Sequence, residues 1–314
     1  MIIAALPRKK RRAVSRRFLF RLALPGTQKN GVSVTPCPRQ GVWQHTPCTP
    51  AAAAAAWRGR VLYFLYLLKL MRHHRHNYFF GTPQPGRHTM LLAPEETRHA
   101  QAVLRVKPGD NLLVTDGAGK VFECVAESVD GGRCEARIVD TKEIPRISPR
   151  IDYYIGIPER DAFEKTLECL VPLGAASITP VVCTFCQGRW WTAGWERFAN
   201  RFLRLMAAGM KQSLSAWMPE LGEVTDFAHA LSKARGVKVY GDQNGENIGK
   251  LSRILAASDS ASCFIGPPGG FSDEERALFR TAAAVPLRLG PLRLRTEHAC
   301  ASAAALLANY CRCP

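Results

Sequence analysis

From Tyr78 to about Ile147 the chain alternates apolar and polar positions in short runs. Asn111–Asp116, Val121–Ser128 and Arg133–Val139 are β-rich, with the turn sequences Asp116-Gly117-Ala118-Gly119 and Asp130-Gly131-Gly132 between them. Pro94–Val106 breaks this alternation: proline and two glutamates open it, and Ala100, Val103 and Leu104 fall on one side. It predicts a helix ending toward Pro108-Gly109. Residues 75–147 are therefore expected to form a compact β-barrel with one helix, and Glu143–Pro149, with two prolines, a linker.

After Arg150 the period changes. Ile151–Ile157, Ser177–Val182, Val237–Gly241, Ser262–Ile265 and Leu287–Leu289 are short apolar runs suited to a buried parallel sheet. Helical patterns lie between them at Asp161–Leu173, Gly194–Ser215, Thr225–Arg235, Asn247–Ala257 and Ser272–Ala284. Residues 150–314 thus read as an α/β domain, with ligands expected at the carboxyl ends of the strands.

Charge changes the picture less than the total suggests. The net charge is +17, but residues 1–70 hold thirteen Lys and Arg and no Asp or Glu. The other 244 residues hold 30 basic and 26 acidic side chains, so the folded body is only mildly basic. Basic charge alone does not then point to nucleic acid. The first seventy residues carry Arg8-Lys9-Lys10-Arg11-Arg12, scattered Pro, Gly, Ser and Thr, and six alanines at 51–56. They predict a basic low-complexity extension, either disordered or upstream of a true start at Met71. The apolar stretch Val61–Leu68 is too short for a bilayer, which needs about 20 residues.

Eleven cysteines without regular spacing do not make a secreted disulfide framework and suit a reducing cytoplasm. Cys183-Thr184-Phe185-Cys186 is a CxxC, yet no second CxxC or histidine pair stands at zinc-ribbon spacing. The expectation is ordinary thiols and no metal. His73-His74-Arg75-His76 is read as a solvated start to a domain.

Two loops carry the chemistry. Phe264-Ile265-Gly266-Pro267-Pro268-Gly269-Gly270-Phe271 runs from a strand into Ser272-Asp273-Glu274-Glu275, the pattern of a helix capping box. Glycines there allow backbone to approach a ligand closely, although a tight structural turn has the same sequence. No Lys-Ser/Thr follows the glycines, and three acids in the first helical turn disfavour phosphate, so a neutral or cationic ligand is expected. About twenty residues on, Leu289-Gly290-Pro291-Leu292-Arg293-Leu294-Arg295-Thr296-Glu297 leads into Ala299–Asn309, whose small residues suit close helix packing.

Together these loops resemble the signature of the ribosomal RNA small subunit methyltransferase E family, which methylates N3 of a uridine in 16S rRNA. Its members are SPOUT methyltransferases with a C-terminal trefoil knot that binds S-adenosylmethionine and an N-terminal PUA-like, RNA-binding barrel. Supporting matches are His99–Gly109, Leu173-Gly174-Ala175, Ile178-Thr179-Pro180 and Gln212-Ser213 with Pro219, so the resemblance spans roughly Arg75 to Asn309. It implies that Ile265, Gly266, Gly269 and Gly270 wrap S-adenosyl-L-methionine, and that Leu289, Gly290, Leu294 and Thr296 complete the pocket.

Uracil N3–H is weakly acidic, so its methylation needs the proton removed or the anion stabilised, and Arg295 is expected to stabilise that anion or a nearby phosphate. Glu297 becomes the proton acceptor or the group that orients Arg295, a local ion pair at a helix start being the alternative. Arg98 and Arg105, seven apart, are read as sharing a helix face and touching RNA phosphate, with solvated surface charge as the alternative. The implied partners are 16S rRNA or the small ribosomal subunit and a second copy of the chain, with no membrane. The chain departs from the family pattern at Pro268, where the family has Glu, and at Cys169, Pro172, Lys211, Ser215 and His298. The alternative function is a divergent paralogue that binds RNA without methylating it, or methylates a different RNA.

Overall fold

A computed structural model describes residues 78–186, 190–192 and 194–309. The extension at 1–70, the start at Met71, the histidine cluster at 73–76 and the C-terminal cysteines Cys311 and Cys313 lie outside the described residues.

Five strands, β1 (Phe79–Pro83), β2 (Thr89–Leu92), β3 (Asn111–Thr115), β4 (Lys120–Asp130) and β5 (Arg133–Glu143), close a barrel in the order β1-β2-β5-β4-β3. Closure comes from a parallel pairing of β1 with β3, while the other neighbours are antiparallel. Alternate residues point inward, so Val114, Phe122, Cys124, Ala126, Cys134 and Ala136 fill the interior with Phe79, Met90 and Leu92. β1 and β2 were not marked as strands by the sequence pattern. Gly81 and Pro83 weaken the local β preference, and pairing across the barrel overrides it.

Helix α1 (Pro94–Ala102) ends earlier than its sequence suggests. Val103 and Leu104 both send their N–H to the carbonyl of His99, and Arg105 turns the chain with a φ of 51°. Arg98 lies on the helix and Arg105 beyond it, both exposed, so they do not share a helix face. Ala100 and Val106 are buried with the barrel core, the chain turning at Arg105 just before Val106.

Beyond residue 149 a seven-stranded sheet forms from β6 (Arg150–Gly156), β7 (Ser177–Val182), β8 (Glu220–Leu221), β9 (Thr225–Asp226), β10 (Val237–Glu246), β11 (Ser260–Ile265) and β12 (Val285–Leu287). Its order is β12-β10-β11-β6-β7-β8, with β9 also paired to β7, and every pairing is parallel. The helices are α2 (Arg160–Leu170), α3 (Trp195–Gln212), α4 (Phe227–Lys233), α5 (Ile248–Ala256), α6 (Asp273–Thr281) and α7 (Thr296–Ala308).

Strand alternation divides the core in two. Ala261, Cys263 and Ile265 of β11 face a cluster with Phe163, Leu167, Phe202, Met206, Leu251, Ala303 and Leu307, from α2, α3, α5 and α7. Phe264, between them, faces the opposite cluster with Phe227 of α4, Phe279 of α6 and Phe271. Tyr240 stacks on Phe279 at 4.2 Å between ring centroids. Phe271 belongs to the glycine loop, so burial of its ring anchors that loop to the core.

The barrel is joined to the sheet region by specific contacts. Trp217 donates its indole N–H to the carbonyl of Ile144 at 2.7 Å and lies under the Arg146 guanidinium at 3.9 Å. Met218 N donates to Gly117 O at 2.8 Å, and Gly119 N to Ala216 O at 3.0 Å. Lys211 pairs with the buried carboxylate of Glu96.

Candidate active site

Because the sheet is parallel, β10, β11 and β12 run toward the same edge, and the last half of β10 meets the loops that follow β11 and β12 there. Between them lies a cleft of about 430 Å³. Its walls are residues 241–244 in the last half of β10, residues 265–271 from the end of β11 onward, and Leu289, Gly290, Leu292, Arg293, Leu294 and Thr296 after β12.

All eight residues expected to surround the cofactor lie in these walls: Ile265, Gly266, Gly269, Gly270, Leu289, Gly290, Leu294 and Thr296. The glycine loop is shaped by a bond from Gly270 N to Pro267 O at 2.8 Å and by a φ of 78° at Gly270. A side-chain Cβ at Gly270 would meet no other group within 4 Å, so the position is open, and the positive φ is what favours glycine. Thr296 Oγ1 donates to Gly266 O at 3.2 Å and Arg293 Nη2 to Pro268 O at 2.9 Å, tying the second loop to the first. Pro268 thus serves through its carbonyl where the family pattern has a carboxylate.

The capping box is formed as the sequence suggests. Ser272 Oγ accepts from Glu275 N at 3.2 Å, and Glu275 Oε2 accepts from Ser272 N at 2.8 Å. Glu275 is buried, and its Oε1 accepts from Thr184 N at 2.8 Å and Thr184 Oγ1 at 3.2 Å. One carboxylate therefore joins the glycine loop to the loop after β7, a long-range tie that no local pattern reports.

Neither Arg295 nor Glu297 lines the cleft. Arg295 is exposed at the N-cap of α7, between the cleft residues Leu294 and Thr296. Glu297 is half-buried near α2 and α7 thiols, where its charge helps push Cys169 and Cys300 upward after the larger effect of burial. Among the described residues no ion pair joins Arg295 to Glu297. Arg98 and Arg105 are on the barrel, away from the cleft lining.

A third wall of the cleft lies outside the two loops the sequence marks. Gly241-Asp242-Gln243-Asn244 lies within β10, where its pairing with β12 shifts register between Gly241 and Glu246, and Asp242 pairs with Arg276 of α6 while accepting from Asn244 N at 2.9 Å. The signal was present: a buried strand running into a Gly-Asp-Gln-Asn-Gly stretch at the sheet edge where ligands are expected. Among the described residues no group of three or more His, Cys, Asp or Glu is placed to hold a metal ion.

The family model for an RNA methyltransferase domain matches residues 146–308, the whole sheet region with its cleft. The chain belongs to the RNA methyltransferase domain family. The model for the RNA methyltransferase PUA domain matches residues 92–139 of the barrel. The chain is similar to ribosomal RNA small subunit methyltransferase E of Mycobacterium bovis, 27% identical over 216 residues, covering 67% of this chain and 82% of that protein. The protein of the same name from Bacillus subtilis is 22% identical over 220 residues, covering 67% and 86%. A crystal structure of ribosomal RNA small subunit methyltransferase E from Neisseria gonorrhoeae, bound to S-adenosyl methionine, superposes with a TM-score of 0.65. It is 26% identical, and the match covers 74% of this chain and 96% of that one. This RNA methyltransferase family member is a divergent relative of those enzymes, with the same pairing of barrel and parallel sheet.

Proposed function

We propose that the chain transfers a methyl group from S-adenosyl-L-methionine to N3 of a uridine in 16S rRNA. The observation that carries this reading is the cleft between the last half of β10 and the loops after β11 and β12 in an RNA methyltransferase domain. Its volume lies within the range of about 300–1,000 Å³ usual for small-ligand sites. The open space over Gly270 and the apolar Ile265, Leu289 and Leu294 fit an adenosine better than an anion. The acidic first turn of α6 favours a cation nearby, which suits a sulfonium.

When bound, S-adenosylmethionine supplies an electrophilic methyl on its sulfonium. The loops would hold it by backbone groups and apolar contact and exclude water. The uracil N3–H is weakly acidic, so the step needs the proton removed or the resulting anion stabilised. Arg295, beside the cleft and exposed, is assigned to stabilising that anion or a neighbouring phosphate. Glu297 is assigned to accepting the proton or orienting Arg295. Arg98 and Arg105 are assigned to RNA phosphate, each from its own part of the barrel end. The enzyme would act on 16S rRNA or the small subunit as a homodimer, in the cytoplasm where that RNA is found. Among the described residues no helix is long and apolar enough to cross a membrane.

Isothermal calorimetry with S-adenosylmethionine tests the cofactor, and mapping of N3-methyluridine in 16S rRNA after gene deletion tests the target. No binding would end the enzyme reading and leave an RNA-binding module. Binding with unchanged 16S modification would leave a different RNA, a reading favoured by the absence of a carboxylate at Pro268.

A further inference from the structure

The methyl-transfer reading leaves one reactive pair unused: Cys183 and Cys186, in the turn after β7. Cys186 N donates to Cys183 O at 3.1 Å, closing a four-residue turn. Such turns hold their end Cα atoms less than about 7 Å apart, overlapping the roughly 4.4–6.8 Å that a disulfide spans. Cys186 Sγ sits within the turn, 3.2 Å from Cys183 N and 3.6 Å from Val181 O. Hydrogen bonding from the Cys183 side chain, joined by its N–H, holds the Cys186 thiol down to about 7 against the opposing effect of burial. Sharing that hydrogen bond, and then burial, pushes the Cys183 thiol far up. Burial instead raises Cys124, Cys134, Cys169, Cys263 and Cys300. The pair therefore offers a nucleophile and a proton donor on a surface turn, with Cys186 half-buried and Thr184 and Phe185 exposed.

We propose that Cys183 and Cys186 form a reversible disulfide on reaction with a hydroperoxide, and that this modification reshapes the glycine-loop wall of the cleft. The Cys186 thiolate attacks one peroxide oxygen, the O–O bond breaks, and the departing alkoxide takes a proton from water, leaving a sulfenic acid. The Cys183 sulfur then attacks the Cys186 sulfur. The S–S bond forms as the S–O bond breaks, and hydroxide leaves with the Cys183 proton as water. Two thiols have lost two electrons and two protons, and the hydroperoxide has become an alcohol and water.

Thr184 and Phe185, between the two cysteines, carry the coupling. Thr184 is bonded to Glu275, whose other oxygen holds Ser272 N. Phe185 lies so close to Gly269 that an added Cβ there would come 2.5 Å from Phe185 Cβ. Drawing Cys186 Sγ away from Cys183 N toward Cys183 Sγ changes the turn that presents both residues. The effect on cofactor rests on the S-adenosylmethionine reading above; the disulfide does not.

The test uses the full chain, reduced, freed of reductant and treated with hydrogen peroxide. Peptide mapping by mass spectrometry locates disulfides, calorimetry reads S-adenosylmethionine binding, and amide hydrogen exchange reads residues 266–271. The expected result is a 183–186 disulfide that forms faster as pH rises through about 7 and is reversed by dithiothreitol. It should weaken cofactor binding several-fold and speed exchange at 266–271. Cys183→Ser and Cys186→Ser should bind cofactor normally and leave that exchange unchanged under peroxide. Oxidation that bypasses the pair overturns the proposal, and a 183–186 disulfide with binding and exchange unaltered overturns the coupling. A reduced chain that binds no cofactor refutes the methyltransferase reading alone, since mapping and exchange still decide this one.

Discussion

At the scale of single residues, Gly270 shows how backbone conformation and space make separate demands. A Cβ there has room, but a φ of 78° disfavours any L side chain, at a cost on the order of 1–2 kcal/mol. Gly270→Val is therefore expected to distort the loop and abolish measurable S-adenosylmethionine binding in calorimetry, while thermal unfolding shows only a modest loss of stability. Wild-type affinity in that variant would make the loop a structural turn and nothing more. Arg295 and Glu297 are tested by kinetics. Arg295→Ala should lower kcat about 10²-fold or more with KM for the cofactor unchanged, the size of effect seen when a charge-stabilising donor is lost. Glu297→Gln should shift the pH profile of kcat if the carboxylate accepts the proton, and leave its shape unchanged if it only orients Arg295.

At the scale of elements, the N-terminus of α6 holds more than its own helix. The sequence showed Ser272 and Glu275 as a local cap, because both partners lie within one turn. It could not show that Glu275 also receives two bonds from Thr184, 91 residues away. Glu275→Ala should therefore cost more than the ~1 kcal/mol of a lost cap, with about 1–3 kcal/mol added for a buried donor left unpaired. Urea unfolding would read the difference, and a loss no larger than that of Ser272→Ala would show the link to Thr184 to be weak. Helix α1 teaches the converse. Its residue pattern continued to Val106, but the chain turns at Arg105 and Val106 packs into the barrel core. Arg98 and Arg105 therefore act as separate charges, and each change to alanine should reduce the salt slope of RNA binding by about one, in filter-binding titrations.

At the scale of the molecule, the barrel is held against the sheet region by Trp217 and by the Lys211–Glu96 pair. Lys211 stands where the sequence departs from its family, and only the fold explains what it does: it neutralises a carboxylate that is 7% exposed. Lys211→Ala should leave that charge buried and unpaired, with a destabilisation of roughly 3–5 kcal/mol in denaturant unfolding. Lys211→Ala together with Glu96→Gln should recover much of the loss. If the single variant unfolds like the wild type, the pair contributes nothing to joining the two parts.

The sequence by itself determined most of the helices and the main strands of the sheet, though not β1, β2, β8 or β9, because hydrophobic period and turn chemistry are local. It also located two walls of the cleft, since glycine loops followed by capped helices are written in consecutive residues. Tertiary structure alone decided the rest. Parallel pairing brought the last half of β10 beside the two loops and set Asp242 against Arg276. It also placed Phe185 against Gly269, more than eighty residues apart. Such contacts depend on which strand edges adjoin, and pairing between distant strands leaves no periodic trace in the chain.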